Sequence, residues 1–240
     1  MKDDLKKLND FYAASQNIVF FGGAGVSTES GIPDFRSVDG LFSTKYAHPP
    51  EVMLSRSFFM REPGEFFRFY RDKMVHVNAR PNGAHVALAA MEQAGKLKAI
   101  ITQNVDGLHQ GAGSQHVIEL HGSIHRNFCM RCRKPYGLDF VLAGDVVPRC
   151  ECGGVVKPDV VLYEEGLYER DIRQAATLIA AADMLMVGGT SLMVYPAAGL
   201  VDYYRGDKLV VINKGETHID HQANLAISDS IGAVLGGVLT

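Results

Sequence analysis

The chain has 240 residues with 47% hydrophobic side chains, and its 24 Lys and Arg residues against 27 Asp and Glu residues leave a net charge of −3. This length allows a sizeable core, enough for one α/β domain with a smaller inserted module. The basic residues form no block and no apolar stretch reaches the length of a membrane span, so we expect a small-molecule or peptide partner and neither nucleic acid nor membrane.

The first 15 residues predict an amphipathic helix. They are rich in charge and place Leu5, Leu8, Phe11 and Tyr12 at helical spacing. A secretory signal would need an uncharged apolar run, so we expect a cytoplasmic protein.

The segment from Phe20 to Ser37 predicts a nucleotide-binding loop. Ile18–Phe21 is a short apolar run ended by glycines, which is typical of a buried parallel strand leading into a loop whose backbone amides face an anion. The dinucleotide fingerprint G-x-G-x-x-G begins at Gly23 and Gly25, but Thr28 stands where the third glycine belongs. Nucleotide binding is therefore predicted, while the ordinary dehydrogenase interpretation is weakened.

Strand-like and helix-like patterns alternate along the rest of the chain. The apolar runs of strand length are Ile18–Phe21, Ala99–Thr102, Val117–Leu120, Val160–Tyr163, Met184–Val187 and Leu209–Ile212. The helical patterns are Glu62–Val75, Ala84–Gln93, Glu169–Ala182 and Ile231–Leu239. This alternation is typical of a parallel sheet covered by helices, so the sequence predicts the α/β class.

Two segments interrupt the alternation. Segment 123–157 contains all four cysteines, and segment 38–80 is a second candidate insertion. We therefore expect a nucleotide-binding domain made of residues 1–37, 81–122 and 158–240. Segment 123–157 would form a metal-binding module, and the helical insertion 38–80 would complete the small domain.

The cysteines are spaced as two short pairs, Cys129-x2-Cys132 and Cys150-x-Cys152. Four thiolates fill the tetrahedral shell of Zn²⁺ and leave no place for water, so the spacing predicts a structural zinc site. Four reduced core cysteines are one alternative. A zinc ribbon that reads nucleic acid is another, and it draws slight support from a group of basic residues: Arg126, Arg131, Arg133, Lys134 and Arg149.

Polar side chains follow several of the predicted strands. Thr102–His109 is dense in hydrogen-bonding groups, His121 precedes a glycine, and Gly188–Ser191 and Asn213 follow later strands. Ligands of open α/β sheets bind at the carboxyl ends of the strands, so these groups are candidate site residues. Histidine titrates near neutrality and suits proton transfer, although a structural role for His121 or ordinary loop roles for the others fit the same pattern.

These motifs occur in an order that resembles the sirtuin family of NAD-dependent protein deacylases. The matching segments are Gly23–Ser27, Gly31–Arg36, Thr102–His109, His121–Gly122, the two cysteine pairs, Gly189–Ala198 and Val210–Asn213. The resemblance implies a Rossmann-like parallel-sheet domain with an inserted zinc-binding domain and NAD bound between them. It also implies an NAD-dependent lysine deacetylase, which transfers the acetyl group to ADP-ribose and releases nicotinamide. The missing third glycine then fits an enzyme that cleaves NAD and does not use it for hydride transfer.

The resemblance also implies roles for individual residues. His121 would be the general base, and Asp106 would accept a hydrogen bond from the nicotinamide carboxamide. The implied NAD-binding residues are Gly23, Ala24, Gly25, Thr28, Asp34, Phe35, Arg36, Gln103, Asn104, Val105, Asp106, Gly189, Thr190, Ser191, Asn213 and Ile231.

An acetyl-lysine peptide would pair as an added strand with the segment that contains Val160, Val161, Leu162 and Tyr163. Many relatives have a Phe-Gly-Glu turn where this chain has Tyr-Glu-Glu at 163–165, so the entrance for lysine is expected to differ in width and charge.

Acyl preference is indicated by the helix that follows the nucleotide-binding loop. Relatives that remove acidic acyl groups carry the pattern Y-x-x-R, whereas this chain has Tyr70 followed by Lys73. Lysine lacks the two-pronged fork with which arginine binds a carboxylate, so acetyl is favoured, with propionyl and other short acyl groups as alternatives.

Two other functional classes fit parts of the sequence. A protein ADP-ribosyltransferase would use the same pocket with a different acceptor. A nucleotide sensor without turnover would not need the complete set of Asn104, Asp106 and His121, so that set argues against it. The sequence does not indicate the oligomeric state or the protein substrates.

Overall fold

The computed structural model describes residues 2–35 and 48–238. Arg36, one of the residues implied to bind NAD, lies outside the described residues. The strands are β1 (Ile18–Gly22), β2 (Leu97–Thr102), β3 (Val117–Glu119), β4 (Gly122–Cys129), β5 (Pro135–Tyr136), β6 (Val156–Val160), β7 (Met184–Gly188), β8 (Leu209–Ile212) and β9 (Leu225–Ile227). The α-helices are α1 (Lys2–Ala14), α2 (Pro50–Met53), α3 (Arg56–Arg61), α4 (Pro63–Lys73), α5 (Gly83–Gln93), α6 (Leu108–Gly111), α7 (Leu138–Ala143), α8 (Glu169–Ala181) and α9 (Ile231–Gly236). Short 3₁₀ helices span Ala24–Ser30, Ala197–Tyr203 and Asp220–Gln222.

The main sheet is parallel and has the strand order β3-β2-β1-β7-β8-β9. This is the order of the doubly wound Rossmann fold, in which the order of the strands across the sheet reverses between two central strands. Here the reversal lies between β1 and β7. The crevice outside the carboxyl ends of these two strands is therefore the expected ligand site.

The central strands read as continuous apolar runs because both of their faces are buried. Every residue of β1 is buried, with Ile18 and Phe20 in one apolar cluster and Val19 and Phe21 in the other. Side chains from α1, α5 and α9 cover the first face, and side chains from α8 and the 3₁₀ helix Ala197–Tyr203 cover the second. The parallel α/β class predicted from the alternation is confirmed.

A second, smaller sheet is antiparallel and has the order β5-β4-β6. It packs against an apolar cluster rich in aromatic rings from α3 and α4. Within that cluster the ring centroids of Phe59 and Phe66 lie 4.9 Å apart in an edge-to-face arrangement. The cysteines lie at the ends and turns of this sheet, with Cys129 as the last residue of β4.

The prediction of a strand over Val160–Tyr163 is wrong. Val160 ends β6 of the small antiparallel sheet, and the chain then leaves that sheet. An apolar run alone does not show to which sheet a strand belongs, which is the reason for the error. The sequence analysis also did not find β9, which has three residues and exposes the middle one.

The other predicted strands and helices are present, and their ends differ from the prediction by at most three residues. Leu239, the predicted end of the last helix, lies outside the described residues. Among residues 2–35 and 48–238, the structure contains no helix that is both long and apolar enough to span a membrane.

Candidate active site

The loops that follow β1 and β7 meet backbone to backbone at the point where the strand order reverses. The amide of Gly25 donates to the carbonyl oxygen of Gly189 over 2.7 Å. Gly189 has φ of +58°, and a Cβ atom there would lie 2.3 Å from the amide nitrogen of Val26. Glycine is required at position 189 both by this backbone conformation and by the lack of space.

A cleft of about 740 Å³ opens at this point. It brings together His121, the predicted peptide-binding residues Val160–Tyr163 and, Arg36 aside, every residue implied to bind NAD. The NAD-binding candidates that line it are Gly23, Ala24, Gly25, Thr28, Asp34, Phe35, Gln103, Asn104, Val105, Asp106, Gly189, Thr190, Ser191, Asn213 and Ile231.

Asp106 lines the cleft and is held by two hydrogen bonds. Its Oδ2 atom accepts from the hydroxyl of Ser27 over 2.6 Å, and its Oδ1 atom accepts from the amide of Leu108 over 2.9 Å. The Nδ2 atom of buried Asn104 donates to the same Ser27 hydroxyl over 3.1 Å. A carboxylate has about four acceptor positions, so Asp106 can still accept from a ligand amide.

Ser27 was missed as a site residue by the sequence analysis. It is buried and joins the loop after β1 to the polar segment after β2. The signal was available, because Ser27 is the last residue of the first matching motif, but its contacts across 77 and 79 residues of sequence could not be seen.

His121 follows β3 and is fixed through its ring. Its Nδ1 atom lies 2.9 Å from the carbonyl oxygen of Gln103. A carbonyl oxygen only accepts, so Nδ1 carries the proton and Nε2 is free to take one. Burial lowers the pKa of His121 below the usual histidine value, although the bond to Gln103 opposes this shift. The ring is therefore a neutral base at pH 7.

Gln103 and Thr190 join the polar segment after β2 to the loop after β7. The Nε2 atom of Gln103 donates to Oγ1 of Thr190 over 3.1 Å, and Oγ1 of Thr190 accepts from the amide of Leu192 over 3.2 Å. Asp229, Lys214 and Gly215 also line the cleft, although the sequence did not predict them as site residues.

The segment after β6 forms hydrogen bonds both with the parallel-sheet side of the cleft and with helices α2 and α3. The amide of Val161 donates to the carbonyl oxygen of His121 over 2.9 Å. Tyr163 donates to the carbonyl of Leu54 and accepts from the amide of Arg56, both over 3.0 Å. The segment therefore runs along the cleft between His121 on one side and helices α2 and α3 on the other.

The next two residues fix the end of this segment. Glu164 has φ of +74° and accepts from the amide and the hydroxyl of Ser57, both over 2.8 Å. Glu165 accepts from the amide of Leu162 and from Nζ of Lys157, which is buried. These side-chain contacts hold the turn at residues 163–165 in place.

The four cysteine sulfur atoms form one cluster in which all lie within 4.8 Å of one another. Cys129 and Cys152 are 3.5 Å apart, as are Cys132 and Cys150, so the thiols are not disulfide-bonded. Zn–S bonds of about 2.3 Å in a tetrahedron place sulfur atoms roughly 3.8 Å apart, so these residues fit Zn²⁺. A site with four protein ligands is closed, and its zinc is structural.

The alternative of four core cysteines fits less well than a zinc site, because Cys132 is exposed and Cys152 is partly exposed. The basic side chains that favour the zinc-ribbon alternative are exposed, and each contacts another group of the protein. Arg126 bonds Glu119 and Asp159, Lys134 bonds Glu151, Arg131 bonds the Cys152 carbonyl, Arg149 bonds the Gly153 carbonyl, and Arg133 lies over the Phe128 ring.

Comparisons with known proteins agree with this geometry. The family model described as the Sir2 family matches residues 23–196. The chain is 58% identical to an NAD-dependent protein deacetylase of Clostridium acetobutylicum, over 99% of this chain and 98% of the relative. It is 42% identical to an NAD-dependent protein deacetylase of Staphylococcus aureus, over the full length of both.

Solved structures with similar folds contain ligands. A Sir2 complex with deacetylated p53 peptide and 3'-O-acetyl ADP-ribose has a TM-score of 0.90 at 38% identity, covering 98% of this chain and 97% of that one. A Sir2 complex with p53 peptide and NAD⁺ has a TM-score of 0.87 at 39% identity with the same coverage.

Proposed function

Because this chain belongs to the Sir2 family, whose relatives are NAD-dependent protein deacetylases, we propose that the cleft between the β1 and β7 loops is its active site. The protein is an NAD-dependent protein lysine deacetylase that transfers the acetyl group of acetyl-lysine to ADP-ribose. The observation that supports the site most strongly is the position of His121. Its ring is bonded to Gln103 at the proposed NAD end, and its carbonyl is bonded to Val161 at the proposed peptide end.

NAD, when bound, supplies the ribosyl carbon that receives the acyl oxygen and the nicotinamide that leaves. Gly23, Ala24, Gly25 and Thr28 would bind the phosphate and ribose groups through the loop after β1. Asp106, fixed by Ser27, would accept from the carboxamide, which orients the ring for departure. Thr190, Ser191, Asn213 and Ile231 would hold the adenosine half.

His121 would take a proton at Nε2 from a ribose hydroxyl, because Nδ1 already carries one. That hydroxyl oxygen would then attack the transferred acyl carbon, and water would complete the reaction by releasing the free lysine amine and O-acetyl-ADP-ribose. No side-chain nucleophile is needed, and the cleft contributes mainly position, a carboxamide acceptor and a base.

The peptide would lie along Val160–Tyr163 and use main-chain hydrogen bonds, so little sequence preference is expected. We propose acetyl as the preferred acyl group. Lys73 lines the cleft, whereas Tyr70 is fully buried in the aromatic cluster, so the pair does not form a two-residue carboxylate site. The domain boundaries and the cytoplasmic location given above stay predictions.

The function is tested by incubating the protein with an acetyl-lysine peptide and NAD and identifying the products by mass spectrometry. Deacetylated peptide together with O-acetyl-ADP-ribose is expected. ADP-ribosylated protein without deacetylated peptide would instead show a transferase that uses the same pocket.

The base assignment is tested by His121→Ala. Loss of a positioned base should lower kcat by about 10²–10⁴-fold while NAD still binds. Calorimetry with NAD separates binding from turnover. Full activity in this variant would exclude His121 as the base.

A further inference from the structure

The 3₁₀ helix Ala24–Ser30 contains much of the proposed phosphate site but is short. A 3₁₀ helix of this kind has poorer hydrogen-bond geometry than an α-helix, so its position depends on contacts with its surroundings. On the cleft side, Ser27 bonds to Asp106 and Asn104. The contacts on its outer side are not explained by the proposed reaction.

Asn82 makes the principal outer contact. Its Nδ2 atom donates to the carbonyl oxygen of Val26 over 2.8 Å and to the hydroxyl of Ser30 over 3.0 Å. The residue is half-buried and is not among the described residues that line the cleft. Asn82 therefore contacts the 3₁₀ helix from outside the cleft.

Asn82 is itself held in place by α5. It is the N-cap of that helix, and its Oδ1 atom accepts from the amide of Ala84 over 2.9 Å. Its own amide donates to Nδ1 of His85, which is fully buried, over 3.2 Å. These contacts leave the Nδ2 group of Asn82 directed at the 3₁₀ helix. The longer helix α5 therefore fixes the position of the short Ala24–Ser30 helix through Asn82.

The 3₁₀ helix is also bonded to α9, whose first turn packs against the start of α5. Glu29 accepts from the amide of Gly232 over 2.8 Å and from the hydroxyl of Ser230 over 3.4 Å. A Cβ atom at Gly232 would lie 2.6 Å from the Glu29 carboxylate, so the two elements are in close contact. Glu29 therefore bonds the 3₁₀ helix to α9, and Asn82 bonds it to α5.

We propose that Asn82 is a positioning residue for NAD: it holds the Ala24–Ser30 helix, and with it Ala24 and Thr28, against the dinucleotide from outside the cleft. This rests on the NAD site proposed above. The two roles of Asn82, capping α5 and bonding the 3₁₀ helix, reside on different atoms of its amide. They can therefore be separated by substitution.

Asn82→Asp separates the two roles. Aspartate caps a helix about as well as asparagine does, and its charge is favourable at a helix N-terminus. It cannot donate to the Val26 carbonyl, which would then face a carboxylate oxygen. KM for NAD should rise about tenfold, with kcat and KM for the peptide changed less than about threefold. The melting temperature should fall less than in a variant that also loses the helix cap.

Asn82→Ala removes both roles, so it should raise KM for NAD by a similar factor and also lower the melting temperature. Asn17→Asp is the matched control, because Nδ2 of Asn17 also donates to a distant carbonyl, that of Ala181, over 2.6 Å. It lies before β1, at the opposite end of the strand from the cleft. This control should leave KM for NAD unchanged even if it lowers the melting temperature.

A wild-type KM for NAD in Asn82→Asp would overturn the proposal, since Asn82 would then be only a helix cap. Failure of the underlying site is recognised separately with Asp106→Ala, which should weaken NAD binding in calorimetry by at least about tenfold. If Asp106→Ala binds NAD normally, the site itself is misplaced. If Asp106→Ala binds NAD weakly but Asn82→Asp has a wild-type KM for NAD, the site is correct and only the positioning role of Asn82 is wrong.

Discussion

The two sheets of this molecule are stabilised in different ways. The central strands of the parallel sheet are buried on both faces by apolar clusters to which helices contribute. The antiparallel sheet is short, its strand β5 has two residues, and it packs against one aromatic cluster and four cysteines. We therefore expect burial to stabilise the first sheet by itself, and the second, smaller sheet to depend on a bound metal. The proposed active site needs both, because the peptide segment begins where β6 ends.

Removing the metal should have the largest effect. It should unfold the antiparallel sheet and leave the parallel sheet folded. Binding of structural zinc contributes on the order of 10 kcal/mol to small modules, so a chelator should unfold the antiparallel sheet and abolish deacetylation. Hydrogen exchange should then increase in β4 and β6 while β1 and β7 stay protected. Zinc, when added back, should restore activity. An unchanged melting temperature after chelation would contradict the structural role of the metal.

The ion pair of Lys157 with Glu165 should be the next most sensitive point, at the junction of the small sheet with the peptide segment. Lys157 is buried, and Nζ lies 3.0 Å from the Glu165 carboxylate. Burial lowers the pKa of Lys157, and Glu165 opposes that shift. Glu165→Gln leaves a buried ammonium group without its counter-charge and should lower the free energy of unfolding by about 3 kcal/mol.

Urea unfolding measures this loss, and KM for the peptide should rise with it. Glu151→Gln is the matched control, because its ion pair with Lys134 is exposed. The control should cost less than about 1 kcal/mol. Equal effects of the two substitutions would mean that the junction does not depend on the buried pair.

Mild acid should affect the parallel-sheet unit through His109, with a smaller effect. This side chain is almost fully buried, and neither ring nitrogen has a hydrogen-bond partner among the described residues. Burial lowers the pKa of His109 to about 3. The unfolded chain binds a proton below about pH 6.5 and the folded chain does not, so stability present above that pH is lost as the pH falls toward 3.

At pH 5 this loss should be about 2 kcal/mol, and His109→Phe should remove it. The measurement is the difference in unfolding free energy between pH 7 and pH 5 for the variant and the wild type. His218→Gln, a change at an exposed histidine, should leave that difference as it is in the wild type. A wild-type pH dependence in His109→Phe would exclude this histidine as the source.

The parallel sheet could be predicted from sequence because its strands are buried on both faces and therefore appear as continuous apolar runs. Val160–Tyr163 has the same composition but belongs partly to the other sheet, since partner choice depends on contacts far away in sequence. The site residues at strand ends were found through motifs. Asn82 and Ser27 were not, because their roles are hydrogen bonds across 52 or more residues of chain.

The contact between the loops after β1 and β7 has a consequence for protein engineering. Gly25 and Gly189 touch through their backbones, and a Cβ atom on either would come within 2.8 Å of the other loop. Chimeras that join the first half of one homologue to the second half of another would pair two such loops that never evolved together. Libraries should therefore keep both loops from one parent and place a crossover site after the second loop, such as in the exposed residues 205–207.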